Sequence, residues 1–248
     1  AQNLAFAYTF HLPYLFPKLT GINYHMPVPL ADPFLFKGFS YSIPSIAIQQ
    51  PNPLQQSSTN LLRRLLDVDY TFAGQKTIFP QIRRTSNPQR IVIPFSFGKD
   101  SLLTLALCQE LGLTVYPIYI SEPDYILEAK LKHKLAQDFA EHTKINVQIL
   151  PNPLGVFREH AGYIGWELSL THYSLMLLPY VFAYQAGFII FANEQSCNDY
   201  VLDKEGFRYN PVYEQSHSWL MQNSLLASLI GGNSLTIGSM IEPIYELA

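Results

Sequence analysis

Six consecutive residues, Ser96-Phe97-Gly98-Lys99-Asp100-Ser101, carry the densest chemistry in the chain. They follow the apolar run Ile91-Val92-Ile93-Pro94-Phe95, which reads as a buried strand, and they precede a helical stretch from Ser101 to Leu111. A strand–turn–helix junction leaves backbone N–H groups unpaired at the positive end of a helix dipole, and holding a phosphate needs those two features. Gly98 allows close backbone approach, Lys99 supplies a positive charge and Ser101 a hydroxyl donor. The block is not a Walker A loop, because the four-residue spacer and second glycine of that motif are absent. The alternative is an ordinary β–α turn with a glycine and an Asp/Ser cap; the order strand, loop, helix favours the phosphate cradle.

A second polar block, Asn193-Glu194-Gln195-Ser196-Cys197-Asn198, follows another apolar run, Phe188 to Ala192. In open parallel sheets ligands bind beyond the carboxyl ends of the strands, so Asn193, Glu194 and Ser196 are expected to face the same crevice as the first block. Glu194 is a candidate Mg²⁺ ligand, since Mg²⁺ favours one or two carboxylates together with phosphate oxygens; otherwise it belongs to a turn that caps the next segment. Acid/base candidates by position are His217, Tyr213, Cys197 and Glu194. His217 leads by residue type, because histidine changes charge near neutral pH, although a lone histidine is commonly structural. Leu154 to Glu167, rich in glycine and aromatics, reads as a substrate loop with Arg158 and His160 as anion-binding candidates, or else as a solvated loop. The histidines show no metal-ligand spacing.

These residues need elements to hold them. From Arg90 onward, strands at 91–95, 114–120, 145–150 and 188–192 alternate with helices at 101–111, 124–143 and 168–185. Gly112 ends the first helix, and Leu127, Leu131, Leu135 and Phe139 form an apolar stripe on the second. The pattern predicts an α/β fold: a parallel sheet covered on both faces, a three-layer sandwich. Residues 1–85 read as a separate Pro- and aromatic-rich appendage or cap, and 86–248 as the nucleotide-binding domain. Within the appendage, Phe34 to Ile48 has the composition of short strands, Gln49 to Ser58 of a linker, and Thr59 to Asp67 of a helix.

Composition narrows the function. Hydrophobic residues make up 48% and charged residues 14% of the 248, against a usual charged share of about a quarter. So much apolar surface suggests cover by a partner subunit (a homodimer fits), by a further segment or by a large organic ligand. The net charge of −3, with no basic run, argues against a nucleic-acid binder. Two cysteines with no CxxC pairing fit a reducing compartment. Ala1 to Leu12 lacks the basic start of a signal peptide, and Leu175 to Ala192 is interrupted by Pro179, Gln185 and Gly187, so a cytoplasmic protein without a membrane span is expected. The start without Met and the abrupt Glu246-Leu247-Ala248 read as a trimmed chain, cut short at the C-terminus.

Ser96, Gly98, Asp100 and Ser101 resemble the SGG-x-DS signature of the PP-loop, or adenine nucleotide alpha-hydrolase, superfamily, with Phe97 where the first glycine usually sits. The resemblance implies ATP cleaved between its α and β phosphates with Mg²⁺, Lys99 and Asp100 as catalytic residues, and Ser96, Phe97, Gly98, Lys99, Asp100, Ser101, Asn193 and Ser196 around the nucleotide. Asn-Glu-x-Ser at 193–196, Asn210-x-x-Tyr213-x-x-Ser216 with Trp219, and Ser239-x-x-Glu242-Pro243-Ile244-Tyr245-Glu246-Leu247 are similar to motifs of the UDP-N-acetylmuramoyl-L-alanyl-L-glutamate epimerases. Gln195 and Pro211 depart from that pattern, which has Arg and His there. That resemblance implies a UDP-muropeptide substrate in peptidoglycan synthesis, whose terminal L-Glu is adenylated on its carboxylate with loss of pyrophosphate and then epimerised, with His217 the first candidate base. Other PP-loop chemistries remain open: an amide-forming ligase, a tRNA-modifying enzyme, or a nucleotide-binding module without turnover if Phe97 blocks the loop. A reductase or thiolation enzyme is disfavoured, since Cys197 would have to work alone.

Overall fold

The computed structural model describes the chain except residues 17, 49–56, 75–76, 78, 80–84, 123–125, 160–167 and 246–248. In chain order the N-terminal elements are α1 (Gln2–Thr9), α2 (Leu12–Leu15), β1 (Gly21–Tyr24), α3 (Asp32–Ile48), α4 (Ser58–Asp67) and β2 (Asp69–Phe72). They are followed by β3 (Asn87–Pro94), α5 (Lys99–Glu110), β4 (Thr114–Ser121), α6 (Ile126–Thr143), β5 (Gln148–Pro151), α7 (Val156–Glu159), α8 (Ser169–Tyr184), β6 (Ala186–Phe191), β7 (Val201–Leu202), β8 (Arg208–Tyr209), α9 (His217–Gly231) and β9 (Thr236–Ser239).

Five strands form one parallel sheet in the order β5-β4-β3-β6-β9. The chain winds outward from β3 to β5, then returns to the other side of β3 for β6 and β9, so the order reverses between β3 and β6. Pleating turns successive side chains to opposite faces. Ile91, Ile93 and Phe95 bury against Leu105 and Cys108 of α5, with Phe139 of α6 packed alongside. Val92, Ile118, Ile120, Ile189, Phe191 and Ile237 bury on the other face, with Leu177 and Val181 of α8 and Trp219 and Leu220 of α9. Helices therefore cover both faces, as the alternation of elements predicts. Pro94 sits at the end of β3, and Phe95 N–H makes the next ladder bond, to Ile118 O at 2.8 Å.

The N-terminal region departs from the sequence reading in two ways. Phe6, Phe10, Tyr14, Leu35, Phe39 and Ile43 belong to the same buried cluster as the sheet residues of the α8/α9 face, so these described residues of the N-terminal region share the main core. The expected strands at Phe34 to Ile48 are instead α3, a single 17-residue helix. Pro33 stands in its first turn, where no N–H donor is needed. Pro44 lies inside, forfeiting one helical bond, in a stretch where Ser42 to Ile46 are buried. The aromatic and β-branched content that reads as strand marks a helix apolar over much of its circumference, and such a pattern cannot be assigned by composition. Of the expected linker, 49–56 lies outside the described residues; Ser57 caps α4 by accepting the Asn60 N–H at 3.3 Å.

The stripe on α6 is also offset. Leu127 and Leu131 are 84% and 57% exposed. Leu135 and Phe139 of the stripe are half-buried and Ala136 is buried, while toward the site Glu128, itself exposed, lines a crevice at the sheet's edge and Lys132 reaches the loop after β3. The helix therefore presents polar side chains to the site where it passes it. Among the described residues no helix is long and apolar enough to cross a membrane.

Candidate active site

The carboxyl ends of β3, β4 and β6 open into a crevice of about 530 Å³, lined by Ser96, Gly98, Asp100 and Ser101 on one side and by Asn193 and Gln215 on the other. It lies at the point where the strand order reverses, the place where open α/β sheets bind ligands. Its volume is in the range of small-molecule sites.

The first wall is the turn between β3 and α5. Phe97 has φ of 62°, the left-handed region that glycine enters freely and bulky residues avoid. The turn thus keeps a glycine-like backbone without the glycine. Its stability comes from the ring, which lies 4.8 Å from Phe95 and 6.1 Å from both Tyr119 and Phe139, centroid to centroid. Gly98 caps α5, its carbonyl accepting from Leu102 N–H at 3.0 Å. The N–H groups at the start of α5 lie outside the helix's own i→i−4 ladder, at its positive end. Ser101 is buried, its hydroxyl donating to Gly98 O at 3.0 Å and meeting Ser96 Oγ at 3.2 Å. A Cβ on Gly98 would come 3.3 Å from Ser96 Oγ, which makes glycine the close fit there. Asp100 faces the crevice; Lys99, with a side chain 64% exposed, lies 3.7 Å from it.

Asn193 forms the second wall. It is 3% exposed and its Nδ2 has no hydrogen-bond partner, although it lines the crevice. Buried amides are rarely left unpaired in a finished structure, so this one is a donor suited to a ligand oxygen. Its backbone is fixed from β9: the Ser239 hydroxyl donates to Asn193 O at 2.7 Å. Glu194 starts the short turn Gln195–Asn198, which the Asn210 amide braces from behind through Cys197 O and Asp199 O. Cys197 donates its thiol to Gln215 Oε1 at 3.1 Å. Burial raises that thiol's pKa, and the negative charges of Glu194 and Asp100 add to the effect against the opposing hydrogen bonds from Glu194 and Ser196. Both carboxylates therefore act on one thiol beside the crevice. Ser196 stands half-buried in the same turn.

Two groups at the site were missed by sequence reasoning. Lys132 of α6 donates to Ser96 O, with its ammonium 5.8 Å above the Phe97 ring. It brings a second cation to the loop, and only its helical offset from Phe139 could have indicated it. Glu122, just after β4, accepts from Tyr173 Oη at 2.6 Å and from Asn152 Nδ2 at 3.0 Å, and Tyr8 donates to Asn152 Oδ1 at 2.8 Å. Glu122's position at a strand end was the available signal. The Glu128 and Glu122 charges, after burial, help to push Tyr119 up to about 12.

His217 is placed elsewhere. It lines a neighbouring cleft together with Glu242, Ser216 and Gln195, and its Nδ1–H donates to Glu242 Oε1 at 2.7 Å. Tyr213 is buried and stacked on Tyr41, and Ser216 caps α9. Trp219 donates its indole N–H to Thr171 Oγ1 at 2.9 Å. These three motif residues hold the wall between the crevice and the cleft. The His160 candidate lies outside the described residues, as does the side chain of Arg158.

Among the described residues no group of three or more His, Cys, Asp or Glu could hold a metal by itself. A Mg²⁺ ion would have to be held jointly with phosphate oxygens; Asp100 lines the crevice, whereas Glu194 and Ser196, which the sequence places there, follow the lining residue Asn193 without lining it themselves. No protein-family model and no curated protein matches the chain.

Proposed function

We propose that the protein is an ATP-using enzyme of the PP-loop kind that adenylates a substrate carboxylate and releases pyrophosphate. The observation that carries the reading is the crevice at the strand-order reversal, where an N-terminal helix turn with Ser96, Gly98 and Ser101 faces the buried, unpartnered amide of Asn193. N–H groups at a helix start suit phosphate oxygens. Asp100 and Glu194 would hold Mg²⁺ with the phosphates, and the ion would supply charge neutralisation as pyrophosphate leaves. The acceptor's carboxylate oxygen attacks the α-phosphorus, the bond to the bridging oxygen breaks, and an acyl adenylate and pyrophosphate result. Lys99 and Lys132 are the cations nearest the loop for the developing negative charge.

The motif resemblances after β6 narrow the acceptor to the terminal L-Glu of UDP-N-acetylmuramoyl-L-Ala-L-Glu. Adenylation would acidify the adjacent Cα–H, and deprotonation followed by return of a proton on the other face would give D-Glu. The reading as a nucleotide module without turnover loses its main support, because the Phe97 ring packs onto Phe95, Tyr119 and Phe139 instead of filling the turn. Free Cys108 and Cys197 are in keeping with a cytoplasmic location.

The test is pyrophosphate release from ATP and Mg²⁺, with and without the UDP-muropeptide, for the parent and Asp100→Ala. We expect release to need the muropeptide and to fall about a hundredfold or more in the variant. Equal release by Asp100→Ala would end the PP-loop assignment. Release without dependence on the muropeptide would retain the ATP chemistry and reject this acceptor.

A further inference from the structure

A groove of about 590 Å³ runs between α6 and the carboxyl ends of β4 and β5. Open α/β sheets bind their ligands beyond those strand ends, so the groove lies on the functional edge of the sheet. Glu122 lines both the groove and the crevice, and the two adjoin there. One wall is held by the backbone: Ser121 O accepts the Asn152 N–H at 2.8 Å, and Asn152 is buried between Pro151 and Pro153.

The other wall is one face of α6. Residues three and four apart share a helix face, and Lys130, His133, Lys134 and Gln137 have that spacing and all line the groove. Lys132, between them in sequence, reaches the loop after β3 instead. The helix thus sends one lysine to the crevice loop and two to the groove.

The positive charge on this face is uncompensated. Lys130 and Lys134 are like charges at i and i+4, an arrangement that disfavours the helix. None of Lys130, His133, Lys134 and Gln137 makes a hydrogen bond or ion pair with the described residues. Glu122 is the one acid among the lining residues, and it already accepts from Tyr173 Oη at 2.6 Å and from Asn152 Nδ2 at 3.0 Å. Asp138, four residues beyond Lys134, lies outside the lining and forms no ion pair with it among the described residues.

We infer that the groove is a second anion site, which takes the diphosphate of an organic ligand against Lys130, His133 and Lys134. Lysine binds phosphate as a point charge. The two ammonium groups spring from positions one helical turn apart, about 6 Å along the axis. Charge on two centres answers both of them, whereas a single carboxylate leaves one lysine unanswered. Diphosphate binding in the groove needs no ATP. It rests on the proposed function only in identifying the ligand with the UDP-linked acceptor, whose diphosphate would lie in the groove while its other end reaches the crevice past Glu122.

The experiment follows the His133 imidazole signals by NMR in the full chain, without ATP or Mg²⁺, during titration with UDP and, separately, with uridine. The expected result is a saturable shift with UDP and none with uridine. Lys130→Gln/Lys134→Gln should bind UDP about tenfold more weakly. Lys18→Gln/Lys204→Gln, which removes the same charge elsewhere, should bind it as the parent does. All four lysines are exposed, so an unchanged far-UV spectrum will show that the fold persists. No saturable shift with UDP, an equal response to uridine, an unaltered affinity in Lys130→Gln/Lys134→Gln, or an equal loss in Lys18→Gln/Lys204→Gln would each overturn the inference. Asp100→Ala should keep the His133 response, which separates failure here from failure of ATP turnover; loss of the response in that variant would assign the shift to the crevice and overturn the inference as well.

Discussion

The Glu214 carboxylate accepts both the backbone N–H of Thr171, at 3.0 Å, and the Thr171 hydroxyl, across 43 residues of chain. It also takes the Leu170 N–H at 2.7 Å. An acidic group from a distant turn thus caps the start of α8, where unpaired N–H groups and the helix dipole favour negative charge. The same Thr171 hydroxyl accepts from the Trp219 indole, so α8, α9 and the wall between the crevice and the cleft meet at one buried polar point.

Removing that carboxylate should therefore cost more than an ordinary surface change. Glu214→Ala leaves two buried donors and one part-buried donor without their acceptor, and we expect a loss of about 3 kcal/mol of stability. Glu214→Gln keeps one acceptor oxygen and should lose about half as much. Urea denaturation of the parent and the two variants measures both. A Glu214→Ala protein within about 0.5 kcal/mol of the parent, the range of an inert surface change, would show that the cap does not hold α8.

Phe97 gives a second prediction, on rank order. Phe97→Ala removes the ring contacts and keeps a Cβ in the left-handed region. Phe97→Gly removes the contacts and the strain together. We expect both to be less stable than the parent, with Phe97→Gly more stable than Phe97→Ala by about 1 kcal/mol, the reverse of the usual order outside such positions. Thermal or urea unfolding settles the order. Equal stability of the two, or a more stable alanine variant, would mean that the left-handed turn at Phe97 is not maintained.

Much of the sheet was legible because its signals are local. The run Ile91 to Phe95, the Gly112 cap and the apolar run Phe188 to Ala192 each depend on neighbours in sequence, and each stands in the structure as β3, the end of α5 and β6. The places of Ser96, Gly98, Asp100, Ser101 and Asn193 along the crevice followed from strand ends alone. The features that escaped depend on distant partners. Pro44 and the aromatics of α3 read as strand because nothing in that window reveals that it packs against the sheet's helices. Lys132 and Glu128 were overlooked because Leu127 and Leu131 suggested a different inward face. His217 stood first among the acid/base candidates by residue type, but that it lines a neighbouring cleft cannot be read from position in the chain; its partner Glu242 lies 25 residues on.

The buried thiol of Cys108 predicts how stability responds to alkali. Cys108 is 0% exposed against α5's own sheet face, and burial pushes its thiol from the ordinary value of 9.0 up to about 11. Below pH 9.0 the folded and unfolded chains both hold the proton, and this group leaves stability unchanged with pH. Between 9.0 and about 11 the unfolded chain releases the proton while the native thiol keeps it, so unfolding is favoured progressively as pH rises. Above that window both states are ionised and the contribution is lost in full. Tyr119, raised from 10.0 to about 12 by burial and by the Glu128 and Glu122 charges, acts with the same sign in a window one unit higher. Cys108→Ala should be less stable than the parent by about 1 kcal/mol at neutral pH, from the lost packing, yet its stability should fall less steeply between pH 9.0 and 11. Urea midpoints measured across that range provide the comparison. A Cys108→Ala curve parallel to the parent's would show that the thiol is not the group whose ionisation the fold resists, and would shift the alkaline response to the buried tyrosines.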